Sequence, residues 1–173
     1  MTPPAPKVRL LVMDVDGVMT DGSITYDDTG RELKTFHVRD GFGIRLWQQM
    51  GFASAIITGR GGLAVERRAK ELGISLLCQG SRDKAADLRE VVAQAGIPLD
   101  QTAFIGDDWP DLPALRLCGY PICPADAHPD CLALTALQTA SPGGQGVVRE
   151  AVEHLLAAHG LLDQARARYD PGS

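Results

Sequence analysis

The segment Val8–Met13 is apolar and mostly branched apart from Arg9, and it runs straight into Asp14-Val15-Asp16-Gly17. Such a run reads as a buried strand that stops at Gly17. Side chains at i and i+2 share one face of an extended strand, so Asp14 and Asp16 repel each other unless a cation or a proton lies between them. A divalent cation beside an anionic substrate resolves the repulsion. The plainer reading is an Asp-Gly turn that closes the strand, with Asp14 as a cap. A calcium loop does not fit. Counted from Asp14, it needs Gly at the sixth position and Glu at the twelfth, where this chain has Met19 and Thr25.

Beyond Gly22 the chain alternates in period. Ser23–Val38 carries Ile24 and Tyr26, then Leu33, Phe36 and Val38, around Asp27-Asp28-Thr29-Gly30, which reads as a hairpin inserted over 22–38. Asp40 is placed to cap a helix over 41–50. Apolar strands at 52–57, 74–78, 102–105 and 120–122 then interleave with helices at 63–72, 83–95 and 110–117, and a weak strand at 137–139 precedes a helix over 147–158. Continuous apolar strands alternating with helices imply an α/β fold, a doubly wound parallel sheet covered on both faces. At 173 residues, 45% of them hydrophobic, the chain has the material for one well-buried domain. Residues 1–6 and about 160–173 read as flexible tails.

A net charge of −5 and the absence of any Lys/Arg run argue against a nucleic-acid partner. Met1–Pro6 lacks the apolar stretch of a secretion signal and no run is long enough to span a membrane, which implies a cytoplasmic chain. Cys78, Cys118, Cys123 and Cys131 form no Cys-x-x-Cys pair and suit a reducing compartment. A zinc site from Cys118, Cys123, His128 and Cys131 is the alternative, against which stands the looseness of their spacing.

In a parallel sheet of this kind, ligands bind beyond the carboxyl ends of the strands. That rule gathers Asp14 and Asp16 after the first strand, Thr58, Gly59 and Arg60 after the second, Lys84 after the third, and Asp107 and Asp108 after the fourth. A phosphate ester entering such a cluster could be attacked by Asp14 to give an aspartyl-phosphate. An anion attacking an anion needs positive charge nearby. Mg2+ held by Asp14 and Asp107, and the Lys84 ammonium at a helix start rich in free N–H groups, would supply it. Thr58 and Gly59 offer a phosphate seat, and Asp16 is left as general acid and base. Asp108 and Asp111 read either as orienters of metal-bound water or as polar caps of the helix near Pro110.

Asp14-Val15-Asp16-Gly17-Val18, Thr58-Gly59-Arg60, Lys84 and Gly106-Asp107-Asp108-x-x-Asp111 resemble, in order and spacing, the four motifs of haloacid-dehalogenase-type phosphatases. Thr20-Asp21-Gly22, Phe36-His37-Val38-Arg39-Asp40-Gly41-x-Gly43, Gln79-Gly80, Ala127-His128-Pro129 and Gly143-Gly144-x-Gly146-x-Val148-Arg149-Glu150 narrow the resemblance to the phosphatases of 3-deoxy-D-manno-octulosonate 8-phosphate. It covers roughly residues 8 to 158. The resemblance implies a Rossmann-like domain without a cap, Mg2+ dependence, and a place in lipopolysaccharide sugar biosynthesis. It makes Asp14 the nucleophile, and Asp16 the acid/base that also gives its main-chain carbonyl to the metal. Asp107 becomes the further ligand, and Thr58 and Lys84 bind phosphate. It also implies a homotetramer joined through the hairpins. Independently, the hairpin after the first strand is too small to be a lid, so a lone subunit leaves the site open to water, and Ile24, Tyr26, Phe36 and Val38 read as contacts between subunits or, in the plainer reading, as packing on their own domain.

Gly61-Gly62 departs from the Ser/Ala-rich second motif and implies a looser helix entry. Three rivals compete: a phosphatase of a nine-carbon sialic-type acid 9-phosphate, a non-catalytic assembly module of the same fold, and a receiver-type phosphoacceptor. Arg60 favours the eight-carbon acid, because a cation suits a substrate carboxylate and the nine-carbon relatives tend to carry an acid there. Retention of Asp14 and Asp16 speaks against the module, and Cys78-Gln79-Gly80 at the end of the third strand speaks against the receiver.

Overall fold

Strand β1, Leu10–Met13, has no exposed residue because it lies in the middle of a six-stranded parallel sheet. A computed structural model of the chain describes residues 8–170, so the ends at 1–6 and 171–173, anticipated as tails, lie outside the described residues. The other strands of this sheet are β4 (Ala53–Thr58), β5 (Leu76–Gln79), β6 (Thr102–Ile105), β7 (Tyr120–Cys123) and β8 (Leu137–Gln138). Their order is β5-β4-β1-β6-β7-β8. In register, Leu10 faces Ala53 on one side and Thr102 on the other, and Met13 faces Ile56 and Ile105. The sheet grows outward from β1 first one way and then the other, so its switch point falls between β1 and β6.

Period-two alternation along each strand divides the core into two layers. Leu11, Met13, Ile56 and Ile105 pack with Trp47 of α1 (Val38–Gln49), Val65 of α2 (Leu63–Leu72) and Val152 of α6 (Val147–Ala158). Leu10, Val12, Ile57 and Phe104 pack with Leu88 of α3 (Lys84–Ala95) and Leu115 of α4 (Leu112–Leu117). The doubly wound sheet read from the sequence is the one observed. Gly73 and Gly96, in left-handed conformation, end α2 and α3 where the periodicity stops.

The hairpin is a separate two-stranded piece, β2 (Thr25–Tyr26) with β3 (Glu32–Leu33). Its turn is held by Asp27, whose Oδ1 accepts from the amides of Thr29 and Arg31 and from the Thr29 hydroxyl. No second domain covers the sheet's carboxyl ends among the described residues.

Four local expectations are revised. The helix after the hairpin begins at Val38 and is capped by His37, whose Nδ1 accepts from Arg39 N. Asp40 lies inside its first turn, buried, and caps the distant α6 by accepting from Gly146 N and Arg149 N. The tail anticipated from about residue 160 includes a helix, α7 (Leu162–Ala167), with Ala165 fully buried, and beyond it Tyr169 stacks edge-on against Phe42. A short helix α5 (Pro129–Leu132), not anticipated, is capped by His128. At the Gly61-Gly62 entry, α2 has no side-chain cap; the Gly62 amide donates to Gln79 Oε1 instead.

Candidate active site

The carboxyl ends of β1, β4, β5 and β6 open into one cleft of about 1120 Å³. Asp14, Asp16, Thr58, Gly59, Arg60, Lys84, Asp107, Asp108 and Asp111, all picked from sequence, line it. Asp14 follows the last residue of β1, with its amide bonded to Ile105 O, so strand pairing fixes where its carboxylate emerges.

Carboxylate oxygens of Asp14, Asp107 and Asp111 lie within 4.8 Å of one another. One buried cation answers them. Lys84, at the start of α3, is only 5% exposed; its Nζ is 2.9 Å from Asp14 Oδ1 and donates to Asp111 Oδ1 at 2.5 Å. Burial alone would push this ammonium down, but Asp14 and Asp111 outweigh it and hold its pKa above the ordinary lysine value. One ammonium does not balance three carboxylates. Burial first, and then Asp111, pushes the Asp14 carboxyl up to about 6; burial, Asp111 and Asp14 push Asp107 up to about 8. Two acids driven toward their neutral forms beside a third, all with hard oxygen donors, fit a divalent cation such as Mg2+.

Asp111 has a second task as well. Its Oδ2 accepts from the amides of Asp107 and Asp108, which pins the loop after β6. Asp108 caps the short 3-10 turn Trp109–Asp111 by accepting from Trp109 N. The loop after β1 is pinned from the far end of the chain. Gly144 N donates to Val18 O, and a Cβ on Gly143 would come within 2.0 Å of Gly17 O.

Thr58 ends β4 almost fully buried, and its Oγ1 has no hydrogen-bond partner among the described residues. A buried hydroxyl without a partner is costly in an isolated domain and natural in one that receives an anion. Two amides at the start of α3 are already engaged, which narrows the expectation of free donors at that helix end. Asp83 Oδ1 accepts from Ala85 N and Ala86 N, which takes those two donors away from a ligand and leaves the Lys84 ammonium as the main contribution of this helix end. Arg60 does reach the cleft, with Nη2 bonded to Glu32 Oε2 at 3.0 Å and to the Tyr26 hydroxyl.

Asp16 does not share Asp14's surroundings. Its carboxylate stands outside the three-carboxylate group, and Oδ1 accepts from Nζ of Lys34, a hairpin residue with no place among the sequence candidates. The Lys34 side chain is 3% exposed, in a residue that is half-buried overall, and also pairs with Glu32 Oε1 at 2.9 Å. Alternation over Glu32, Lys34 and Phe36 was the available signal, since it sets them on one side of the returning strand. Arg82 and Asp126 also line the cleft unanticipated; Asp126 Oδ1 accepts from Gly143 N.

The zinc alternative fails in detail. Among the described residues, the ligand atoms of Cys118, Cys123, His128 and Cys131 do not gather into a group that could hold an ion; the carboxylates of Asp14, Asp107 and Asp111 do. His128 Nδ1 is engaged with Asp130 N and the Trp109 indole.

Known proteins share this chain's sequence and fold. The sequence profile of haloacid dehalogenase-like hydrolases matches residues 77–150. The 3-deoxy-D-manno-octulosonate 8-phosphate phosphatase of Escherichia coli K12 is 41% identical over 164 residues, 95% of this chain and 87% of that protein. The Yersinia pestis enzyme of the same name is 44% identical over 161 residues, 93% and 86%. Among solved structures, the Moraxella catarrhalis phosphatase of that name, crystallised with magnesium ion, phosphate ion and KDO, superposes with a TM-score of 0.93 at 42% identity, covering 95% of each chain. Likeness of this degree along nearly the whole length, with the four motifs meeting in one cleft, means that the chain belongs to the haloacid dehalogenase-like hydrolases, in the family of 3-deoxy-D-manno-octulosonate 8-phosphate phosphatases.

Proposed function

We propose that this protein is a Mg2+-dependent phosphomonoesterase that converts 3-deoxy-D-manno-octulosonate 8-phosphate to the free sugar acid and phosphate, in lipopolysaccharide sugar biosynthesis in the cytoplasm. One observation carries the reading. A carboxylate fit to attack (Asp14), a partnerless buried hydroxyl (Thr58), a buried ammonium (Lys84) and a three-carboxylate cation seat share one cleft.

Asp14 attacks phosphorus in line with the ester oxygen. The P–O ester bond breaks with its electron pair on the sugar oxygen, which takes a proton from the Asp16 carboxyl. Water then attacks the aspartyl-phosphate and passes its proton to Asp16, and the Asp14 carboxylate is restored. Thr58 Oγ1, the Gly59 amide and Lys84 Nζ hold the phosphoryl oxygens throughout. Asp14, Asp107 and the main-chain carbonyl of Asp16 would hold the metal, with Asp111 keeping the loop of Asp107 in place and Asp108 bounding it. Bound there, Mg2+ supplies the positive charge that lets an anionic nucleophile approach an anionic phosphoryl group. Arg60, at the rim on its Glu32 partner, meets the substrate's carboxylate.

The cleft is open, and the hairpin beside it exposes Ile24, Tyr26 and Leu33. A homotetramer joined through the 22–38 hairpins would bury these side chains and narrow the entrance. Residues 8–170 then act as one phosphatase domain completed by its neighbours. The test is phosphate release from a panel of sugar phosphates that includes the eight-carbon 8-phosphate and a nine-carbon acid 9-phosphate, with and without Mg2+. Preference for the eight-carbon acid is expected; equal turnover of generic phosphate esters would sink the assignment.

A further inference from the structure

Lys34 is a surface-hairpin residue whose charge has been taken out of water. A long, flexible lysine has no difficulty reaching solvent from a two-stranded hairpin, and burying its ammonium is unfavourable unless partners compensate. The partners here are specific. Nζ binds Asp16 Oδ1, 18 residues earlier in the chain, and Glu32 Oε1, two residues earlier in β3, at 2.9 Å. Glu32 is held in turn by Arg60, through Oε2 at 3.0 Å. This makes a chain of alternating charge from the cleft rim at Arg60 to the cleft floor at Asp16.

The two aspartates of the first loop are thereby separated in role. Lys84 serves Asp14 and Asp111, and Lys34 serves Asp16. With Oδ1 tied to Lys34, the Asp16 carboxyl is restrained at one oxygen. Its other oxygen, Oδ2, is buried without a hydrogen-bond partner among the described residues. A carboxyl with one oxygen anchored and one spare is in the condition required of a group that must give a proton to a leaving oxygen and later take one from water.

We propose that Lys34 is a positioning residue for proton transfer: it orients Asp16, with Glu32 and Arg60 buttressing it, so that the hairpin is part of the catalytic unit. The proposal rests on the reading of Asp16 as proton donor and acceptor. It differs from a purely mechanical role, in which Lys34 merely pins the hairpin to the domain, in what it says about the leaving group. An alkoxide needs its proton as the P–O bond breaks, whereas 4-nitrophenolate leaves without one.

The test is single-turnover release of the alcohol with Mg2+ present, from the sugar phosphate and from 4-nitrophenyl phosphate, in the unchanged protein and in Lys34→Met, Asp16→Asn and the double variant. Lys34→Met is expected to lower the ratio of the sugar rate to the aryl rate at least about tenfold, part of the hundredfold or more that general acid catalysis contributes. On the sugar phosphate, the double variant should be no slower than Asp16→Asn alone, because residues acting through one another do not add. Glu32→Gln, which leaves the hairpin lysine in place, should move the ratio the same way by a smaller factor and keeps the idea testable if Lys34→Met folds poorly. Equal slowing of both substrates by Lys34→Met, or losses that multiply in the double variant, overturns the proposal. If Asp16→Asn itself slows both substrates alike, the proton-transfer reading of Asp16 is what has failed, and the role of Lys34 falls with it.

Discussion

A Cβ on Gly17 would lie 2.1 Å from Asp107 Oδ2, so the aspartate that closes the cation seat rests against the bare Cα of residue 17. Gly17 also sits at φ +88, where a side chain is strained whatever the space. Gly17→Ala is therefore expected to push Asp107 away from Asp14. Destabilisation of about 1–3 kcal/mol should accompany a rise in the Mg2+ concentration needed for half-maximal turnover. Urea melts and a Mg2+ titration of activity measure the two effects, and an unchanged Mg2+ requirement would contradict the placement of Asp107.

Asp14→Asn should retain the fold and lose turnover by at least about a thousandfold, the scale seen when a covalent nucleophile is removed. Circular dichroism and phosphate release check both halves of the statement. Lys84 keeps its Asp111 partner in that variant, so no buried ammonium is stranded.

Lys84→Met strips from Asp14 and Asp111 the one ammonium that pairs with them among the described residues. Removing one partner of a buried ionic cluster costs about 3–5 kcal/mol, and denaturation in urea should show a loss of that order. Added Mg2+ should return part of it by supplying charge to the same carboxylates. Indifference of the variant's stability to Mg2+ would mean that the carboxylates do not hold the ion.

The metal-free protein should become less stable as pH rises. Asp14 at about 6 and Asp107 at about 8 lie above the ordinary aspartate value, so the folded state binds more protons than the unfolded chain from about pH 4 upward. Their contribution is fully present below that range and is lost as pH climbs through 6 and then 8. In melting curves at pH 5 and pH 8 with chelator, Tm should fall by a few degrees at the higher pH. Because the ion takes the deprotonated acids, Mg2+ should flatten this slope and bind more tightly at pH 8 than at pH 5. A chelated protein that gains stability with pH would contradict both assignments.

Ile24 and Leu63 are exposed at 52% and 77%, and Val38 at 80%. Phe36, anticipated with Ile24, Tyr26 and Val38 as an interface residue, instead packs on its own domain beneath the Arg68 guanidinium. In solution the protein should run at four times its 18.5 kDa chain mass, and Ile24→Glu should release smaller species with reduced turnover. Light scattering decides this; a monomer at micromolar concentration removes the hairpin interface.

The sheet and the meeting of Asp14, Thr58, Lys84 and Asp107 were legible because both obey rules that act locally. An apolar run that halts at a polar residue marks a strand end, and parallel strands bring their carboxyl ends to one edge. The features that sequence alone does not show depend on partners far away in the chain. Asp40 looks like the cap of the helix beside it, and its carboxylate instead holds amides 106 and 109 residues later. Lys34 resembles any hairpin lysine until Asp16 is found next to it. Asp83 preceding Lys84 is a visible cap signal, and its consequence, that the amides of Ala85 and Ala86 are already occupied, emerges only with the geometry. The helix α7 has little apolar periodicity to show, since Leu162 and Ala165 are nearly all it offers.

The clamp of Gly143 and Gly144 on the loop after β1 bears on how the chain is born. The residues that do the chemistry lie near the amino end, yet β1 takes β4 and β6 as neighbours, and the 17–20 loop waits for the glycines near 144. A ribosome would thus have released most of the polypeptide before Asp14 and Asp16 could settle into place. Nascent chains truncated before that point would carry every catalytic aspartate and hydrolyse nothing. Activity would switch on as one late event, after the 140s and the α6 residues behind them clear the exit tunnel.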